Sequence, residues 1–356
     1  MTPMLRFWQR KRHTQRVLLL GLDCASPRLI FHDFEDKLPT FHRLMREGTW
    51  GELQSSLPCI TVPAWSSMLS SRDPGVLGIY GFRNRADYSY DALKIADSAA
   101  VEQPRLWDLL SAANKTSLVL NVPQTYPVQA LNGHLVSGFM TADIQQQFAY
   151  PAIFKQEVLK HFPTYHFDVR DFRKMDREAL LQRLYELTDV QYDLLLYALK
   201  TKSWDFAMHV NIALDRLHHT FWRYHDPAHR LHQPDHHFQH AIRDYYQHLD
   251  GWLARILAVL DDDVSVIVAS DHGVKRMDGA IAINEWLWRE GWLTLKTEPD
   301  NIVPFQHDRV DWSHTRAWST GGYYGRIFLN VAGREPQGII PQADYDAMRD
   351  QLAAAI

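Results

Sequence analysis

The chain has 356 residues, 46% hydrophobic and 22% charged, a balance that fits a globular protein and excludes a disordered one. Its formal net charge of −4 provides no broad basic field, which argues against stable nucleic-acid binding. Two cysteines, Cys24 and Cys59, cannot build a disulfide framework and suit a reducing, cytoplasmic setting.

The basic start, with Phe7 and Trp8, leaves a membrane-surface contact open. The apolar run from Val17 to Leu22 is interrupted by Asp23, so it is too short for a transmembrane segment or a signal-peptide core. It reads as a buried strand. SLPCITVPAWSSMLSS (56–71) reads as a strand end passing into a helix near Thr61. SLVLNV (117–122), FAMHVNIAL (206–214) and VSVIVAS (264–270) repeat the first pattern, and GRIFLNV (325–331) is a later strand candidate. Continuous apolar runs, as opposed to alternating ones, suit strands covered on both faces. The expected class is therefore α/β, with a mostly parallel central sheet flanked by helices. Residues 150–202 are polar and leucine-spaced, which predicts a helical insert or cap. With no repeat or low-complexity linker, a single domain over 16–356 is preferred to two.

Three aspartates follow three of these runs: Asp23, Asp215 and Asp271. In doubly wound sheets the functional crevice lies beyond the carboxyl ends of the strands, so the three carboxylates are expected to converge on one rim. Each alone reads first as a helix N-cap. Two have histidine close by, His272 directly after Asp271 and the His218–His219 pair after Asp215. Ten of the 19 histidines lie between His209 and His248, so abundance selects none of them. If Asp215 opens a helical turn, the residue four positions on shares its face, which favours His219. Carboxylate and imidazole are the ligands that zinc or manganese accepts in catalytic sites. Thr61, before Pro63, has an N-cap reading too. Its alternative is that of a nucleophile, because a hydroxyl at a helix N-terminus sits among free N–H donors suited to phosphoryl oxygens.

Taken in order, GLD (21–23), T-x-P-A-W (61–65), DPGVLGIYGF (73–82), NVPQTYP (121–127), D-x3-H (215–219) and SDHG (270–273) resemble the type I phosphodiesterase/nucleotide pyrophosphatase group of the alkaline phosphatase superfamily. The resemblance spans roughly Val17 to Ile340. It implies an alkaline-phosphatase-like fold and two divalent metal ions at the rim, zinc or alternatively manganese. One ion would be held by Asp23, Thr61, Asp271 and His272, the other by Asp215, His219 and a later histidine. It further implies that Thr61 attacks phosphorus to form a covalent phosphothreonine, on a small phosphodiester or nucleotide pyrophosphate substrate. Two metals ~3.5 to 4 Å apart can clamp the attacking and leaving oxygens of such a displacement.

The sequence departs from the family pattern in two places. Leu77 stands where the family often has a histidine that is not usually a ligand. The GxH-type motif that commonly completes the second metal site is absent, leaving His314, or less readily Asp311, as a substitute third ligand. The final GIIPQADYDAMRDQLAAAI reads as the start of an amphipathic helix, which favours a truncated chain. Asn84 is a candidate oxyanion donor, and Lys275 with Arg276 could meet a substrate phosphate. Specificity is expected from the 150–202 segment and from Tyr80, Phe82 and Trp222. The alternatives are a phosphotransferase or phosphomonoesterase of the same superfamily, and a metal-binding member with weak or no catalysis. A sulfatase is disfavoured, because no C-x-P-x-R signature is present.

Overall fold

The computed structural model describes residues 15–320 and 322–356; Phe7 and Trp8 fall outside them. Six strands form one sheet: β1 (Arg16–Leu22), β2 (Ser117–Val122), β3 (Gly133–Ser137), β4 (Ala149–Tyr150), β5 (Phe206–Asn211) and β6 (Val264–Ala269). Their order is β4–β3–β2–β5–β1–β6. All pairings are parallel except β3 with β4. The apolar runs become strands because both faces are covered. Leu18, Leu20 and Leu22 of β1 enter one core, while Leu19 enters a second core with Trp65 and Trp107. β6 is an edge strand and less covered, with Ile267 47% exposed.

Helices α1 (Pro39–Glu47), α2 (Thr61–Ser70), α3 (Leu106–Ala112), α4 (Ala152–His161), α5 (Arg177–Thr201), α6 (Ala213–His225) and α7 (Ala241–Leu257) surround the sheet. Residues 150–202 contain α4 and α5. The long α5 starts where Asp176 accepts a hydrogen bond from the Ala179 N–H at 3.1 Å, and it packs against α6 and α7. The run 206–214, expected to be one strand, divides. β5 ends at Asn211, whose side-chain oxygen accepts from the Leu214 N–H at 3.1 Å and satisfies one of the free donors of α6. Asp215 thus sits in the first turn of a helix.

The chain clusters into two compact units. Among the described residues, the first comprises 15–77 and 97–276, and the second comprises 78–96, 277–320 and 322–356. The second unit holds two antiparallel hairpins, Arg83–Arg85 with Leu93–Ile95 and Ala317–Thr320 with Arg326–Leu329, besides helices α8 (Ile283–Arg289) and α9 (Tyr345–Ala355). Its own core gathers Trp292, Trp312, Trp318 and Val331. There Arg85 is paired with the buried Glu335 at 3.0 Å beneath the Trp318 ring. Among the described residues no helix is long and apolar enough to cross a membrane.

Candidate active site

The register of the sheet brings the first two aspartates together. Gly21 of β1 pairs with Ala269 of β6, so two residues further on Asp23 stands opposite Asp271 at the carboxyl rim. Cys24 then adopts a left-handed φ of 66°, a cost of ~1 to 2 kcal/mol for a residue with a Cβ. Its N–H donates to Asp271 Oδ1 at 3.2 Å. On the other side of β1, the Trp65 ring lies so close to Gly21 that a Cβ there would be 2.6 Å from Trp65 Cη2. This close approach locks α2 onto β1 and directs the Trp65 Nε1–H to Asp23 Oδ2 at 2.8 Å.

Thr61 is the first residue of α2; the N-cap is Ile60, and no side chain caps the helix. The Thr61 hydroxyl is therefore not used as a cap. It donates to Asp23 Oδ1 at 3.2 Å and lies 3.3 Å from His272 Nε2. His272 Nε2 is in turn 3.6 Å from Asp23 Oδ1 and 3.5 Å from Asp271 Oδ2. Asp23, Asp271 and His272 offer ligand atoms that all lie within 4.8 Å of one another, the one such set of three among the described residues. Neither Asp23 nor Asp271 precedes a helix, and Asp215 lies inside one, so none of the three carboxylates is a helix N-cap.

Asp215 and His219 face each other on α6, with His219 Nε2 3.5 Å from Asp215 Oδ2. His218, its neighbour, is buried against Trp222 and Tyr246, at ring separations of 5.5 and 5.8 Å. Sequence reasoning missed what holds Asp215. The Arg216 guanidinium donates from Nη1 to Asp215 Oδ2 at 2.7 Å and from Nε and Nη2 to Asp168 at 3.0 and 2.8 Å. Arg216 is sandwiched between Phe139 and Phe172, each 5.0 Å from its Cζ. Phe172 also lies 5.9 Å from the His219 ring. The only available signal for Arg216 was its position beside Asp215. For Trp65 the signal was clearer, because it stands four residues after Thr61 and shares its helical face.

The electrostatics of the rim are those of a site short of positive charge. Burial, reinforced by the Asp215 carboxylate, pushes Asp23 up to about 7. Burial and the neighbouring Asp23 push Asp271 well above the usual carboxylate range. Against its own burial, Asp215 is held below that range by His219 and Arg216. Burial lowers both His219 and His218, the latter to about 3. Asp271 Oδ2 is buried without a hydrogen bond, which is costly unless a cation or proton meets it. Two carboxylates, an imidazole and a hydroxyl with unmet negative charge fit a divalent cation that accepts oxygen and nitrogen ligands.

The remaining predicted residues occupy other settings. Asn84, in the second unit, closes its own turn: its Oδ1 accepts from the Tyr80 N–H at 2.9 Å and its Nδ2 donates to the Gly81 carbonyl at 3.2 Å. His314, also in the second unit, is exposed and pairs through Nδ1 with Asp311 at 2.9 Å, so the two substitute ligands engage each other. Lys275 is exposed three residues after His272.

The mostly parallel six-stranded sheet flanked by helices is an alkaline-phosphatase-like α/β fold. The fold matches that of phosphonoacetate hydrolase from Sinorhizobium meliloti 1021 in two solved structures. With phosphonoformate bound, the TM-score is 0.54 at 16% identity, covering 80% of this chain and 66% of that one. With phosphonoacetate bound, it is 0.59 at 14% identity, covering 94% and 73%. This chain thus spans about two thirds to three quarters of that protein's length. No curated protein sequence matches it significantly. The type I phosphodiesterase / nucleotide pyrophosphatase family matches residues 17–356, and the chain belongs to that family of hydrolases within the alkaline phosphatase superfamily.

Proposed function

We propose that the protein is a metal-dependent hydrolase of small phosphodiesters or nucleotide pyrophosphates that works through a phosphothreonine at Thr61. One observation carries this reading: the Thr61 hydroxyl, at the start of α2, is free of any capping role and points at Asp23 and His272, at 3.2 and 3.3 Å.

Asp23, Thr61, Asp271 and His272 would hold one divalent ion, and Asp215 with His219 would contribute to a second. Zinc is favoured over manganese because imidazole stands in both sets. Ions bound there would supply Lewis-acid stabilisation of charge on the reacting oxygens.

The protein's own groups account for the rest. Trp65 fixes one oxygen of Asp23, leaving the other toward Thr61. Thr61 Oγ1 forms the new bond to phosphorus as the ester oxygen departs, and its proton has Asp23 Oδ1 as the nearest acceptor. The first N–H groups of α2 and its dipole favour the phosphoryl oxygens gathered at Thr61. Water then attacks phosphorus, breaks the bond to Thr61 Oγ1 and returns the free hydroxyl. Arg216 holds Asp215 in a fixed orientation through the second carboxylate of Asp168. A cytoplasmic location rests on the composition alone, since two cysteines provide no disulfide framework.

The test is turnover of bis(p-nitrophenyl) phosphate by zinc- or manganese-loaded protein. Thr61→Ser should retain activity and Thr61→Ala should abolish it, with two metal equivalents per chain. Equal residual activity in both variants would exclude Thr61 as the nucleophile. One metal equivalent with no turnover would favour a metal-binding member without catalysis.

A further inference from the structure

Asp23 opens the turn that follows β1, and Asp271 with His272 lies in the turn that follows β6. Two hydrogen bonds cross directly from one turn to the other. The Cys24 N–H donates to Asp271 Oδ1 at 3.2 Å, and the Ala25 N–H donates to Ser270 Oγ at 2.9 Å. The Ser270 hydroxyl donates in turn to the His272 carbonyl at 2.8 Å. A hydroxyl has one proton to give and lone pairs with which to accept, so Ser270 uses both functions at once. It thereby joins the backbone two residues past Asp23 to the backbone of His272 itself.

Neither turn needs this hydroxyl in order to form. The Ala25 N–H also reaches the Leu22 carbonyl at 3.3 Å, and the Ser26 N–H donates to Tyr246 Oη at 3.1 Å. On the β6 side, Ser55 Oγ donates to the Asp271 carbonyl at 2.6 Å. What Ser270 adds is the spacing between the two turns. His272 Nδ1 lies 2.9 Å from the Gly273 carbonyl, an acceptor, so Nδ1 carries a proton and Nε2 is the nitrogen left to a metal. That Nε2 is 3.6 Å from Asp23 Oδ1 and 3.5 Å from Asp271 Oδ2. Two ligand atoms each ~2.1 Å from a tetrahedral zinc ion lie ~3.4 Å apart, so the spacing already suits the ion.

We propose that Ser270 is a positioning residue for the ligand set of Asp23, Asp271 and His272: its hydroxyl clamps the turn after β1 to the turn after β6 and so sets the distance from Asp23 to His272 Nε2. This rests on the metal-dependent reading above. The hydroxyl touches neither Asp215 nor His219, so it acts on one ion of the two.

The experiment titrates zinc into chelator-treated protein by calorimetry and records the visible spectrum of cobalt bound in its place, which reports ligand geometry. Ser270→Ala should weaken one equivalent of zinc about tenfold to a hundredfold and alter the cobalt spectrum. Ser270→Thr, which keeps the hydroxyl, should restore both. Ser270→Val has the shape of threonine without its hydroxyl and serves as a second variant that should behave as alanine does. Urea unfolding of the metal-free chains should find the hydroxyl-free variants folded. Native zinc affinity and cobalt spectrum in both hydroxyl-free variants would overturn the proposal, and so would a loss in Ser270→Thr equal to that in Ser270→Ala. Failure of both hydroxyl-free variants to fold while Ser270→Thr folds would also overturn it, because the hydroxyl would then serve the fold. None of these readouts needs turnover. Weakened zinc binding supports the positioning role even if no ester is hydrolysed; unchanged binding in a chain that hydrolyses bis(p-nitrophenyl) phosphate refutes it while the hydrolase reading stands.

Discussion

Replacing Asp23 with asparagine should make the metal-free protein more stable at neutral pH, the reverse of what removing a well-paired buried carboxylate would do. Asp23 is fully buried, beside Asp271 and in the field of Asp215, and its carboxyl is pushed from 3.8 to about 7. A group whose folded pKa is raised contributes stability that is fully present below its unfolded value and is lost as pH rises through the folded value. The window is therefore about pH 4 to 7, and three units at ~1.36 kcal/mol each give a loss of about 4 kcal/mol from Asp23. Asp271 acts in the same direction, whereas Asp215, held low by His219 and Arg216, acts in the opposite one. Asparagine keeps an oxygen for Trp65 Nε1–H and cannot ionise. Urea unfolding of chelator-treated protein from pH 5 to 8 should show stability falling with pH for the native chain and a flatter profile for Asp23→Asn. Added zinc should stabilise the native chain most near pH 8 and the variant little. Parallel pH profiles for the two proteins would refute the claim that Asp23 carries an uncompensated charge.

Gly21→Ala should destabilise by ~1 to 3 kcal/mol in urea melts, since its Cβ would meet Trp65 at 2.6 Å and Val210 at 2.8 Å. Arg216→Ala removes the guanidinium from the buried Asp215 and the partly buried Asp168 and should cost ~3 to 5 kcal/mol by the same measurement; a change under ~1 kcal/mol would contradict its role in holding Asp215. His219→Ala should lose one metal equivalent by elemental analysis, while His218→Phe, which preserves packing against Trp222 and Tyr246, should keep both.

Much of this site was legible in the sequence because its parts sit at strand ends. Asp23 and Asp271 follow apolar runs that suit strands, and parallel pairing then fixes their common rim. His219 was singled out from His218 by helical spacing and by the D-x3-H pattern, and the two side chains face different surroundings. What stayed hidden depends on contacts across long sequence separations. Asp168 meets Arg216 from 48 residues away, and nothing local marks either as the holder of Asp215. The end of β5 was misjudged because Ile212, Ala213 and Leu214 are apolar enough to extend a strand, while the Asn211 side chain starts the helix.

Acid quenching during turnover of bis(p-nitrophenyl) phosphate, followed by peptide mass spectrometry, tests the central claim most directly. A nucleophilic Thr61 predicts loss of one p-nitrophenolate and one p-nitrophenyl phosphoryl group on the peptide carrying Thr61, the same adduct on serine in Thr61→Ser, and no label in Thr61→Ala. Undiminished turnover by Thr61→Ala, or steady turnover with label on another residue, would contradict it.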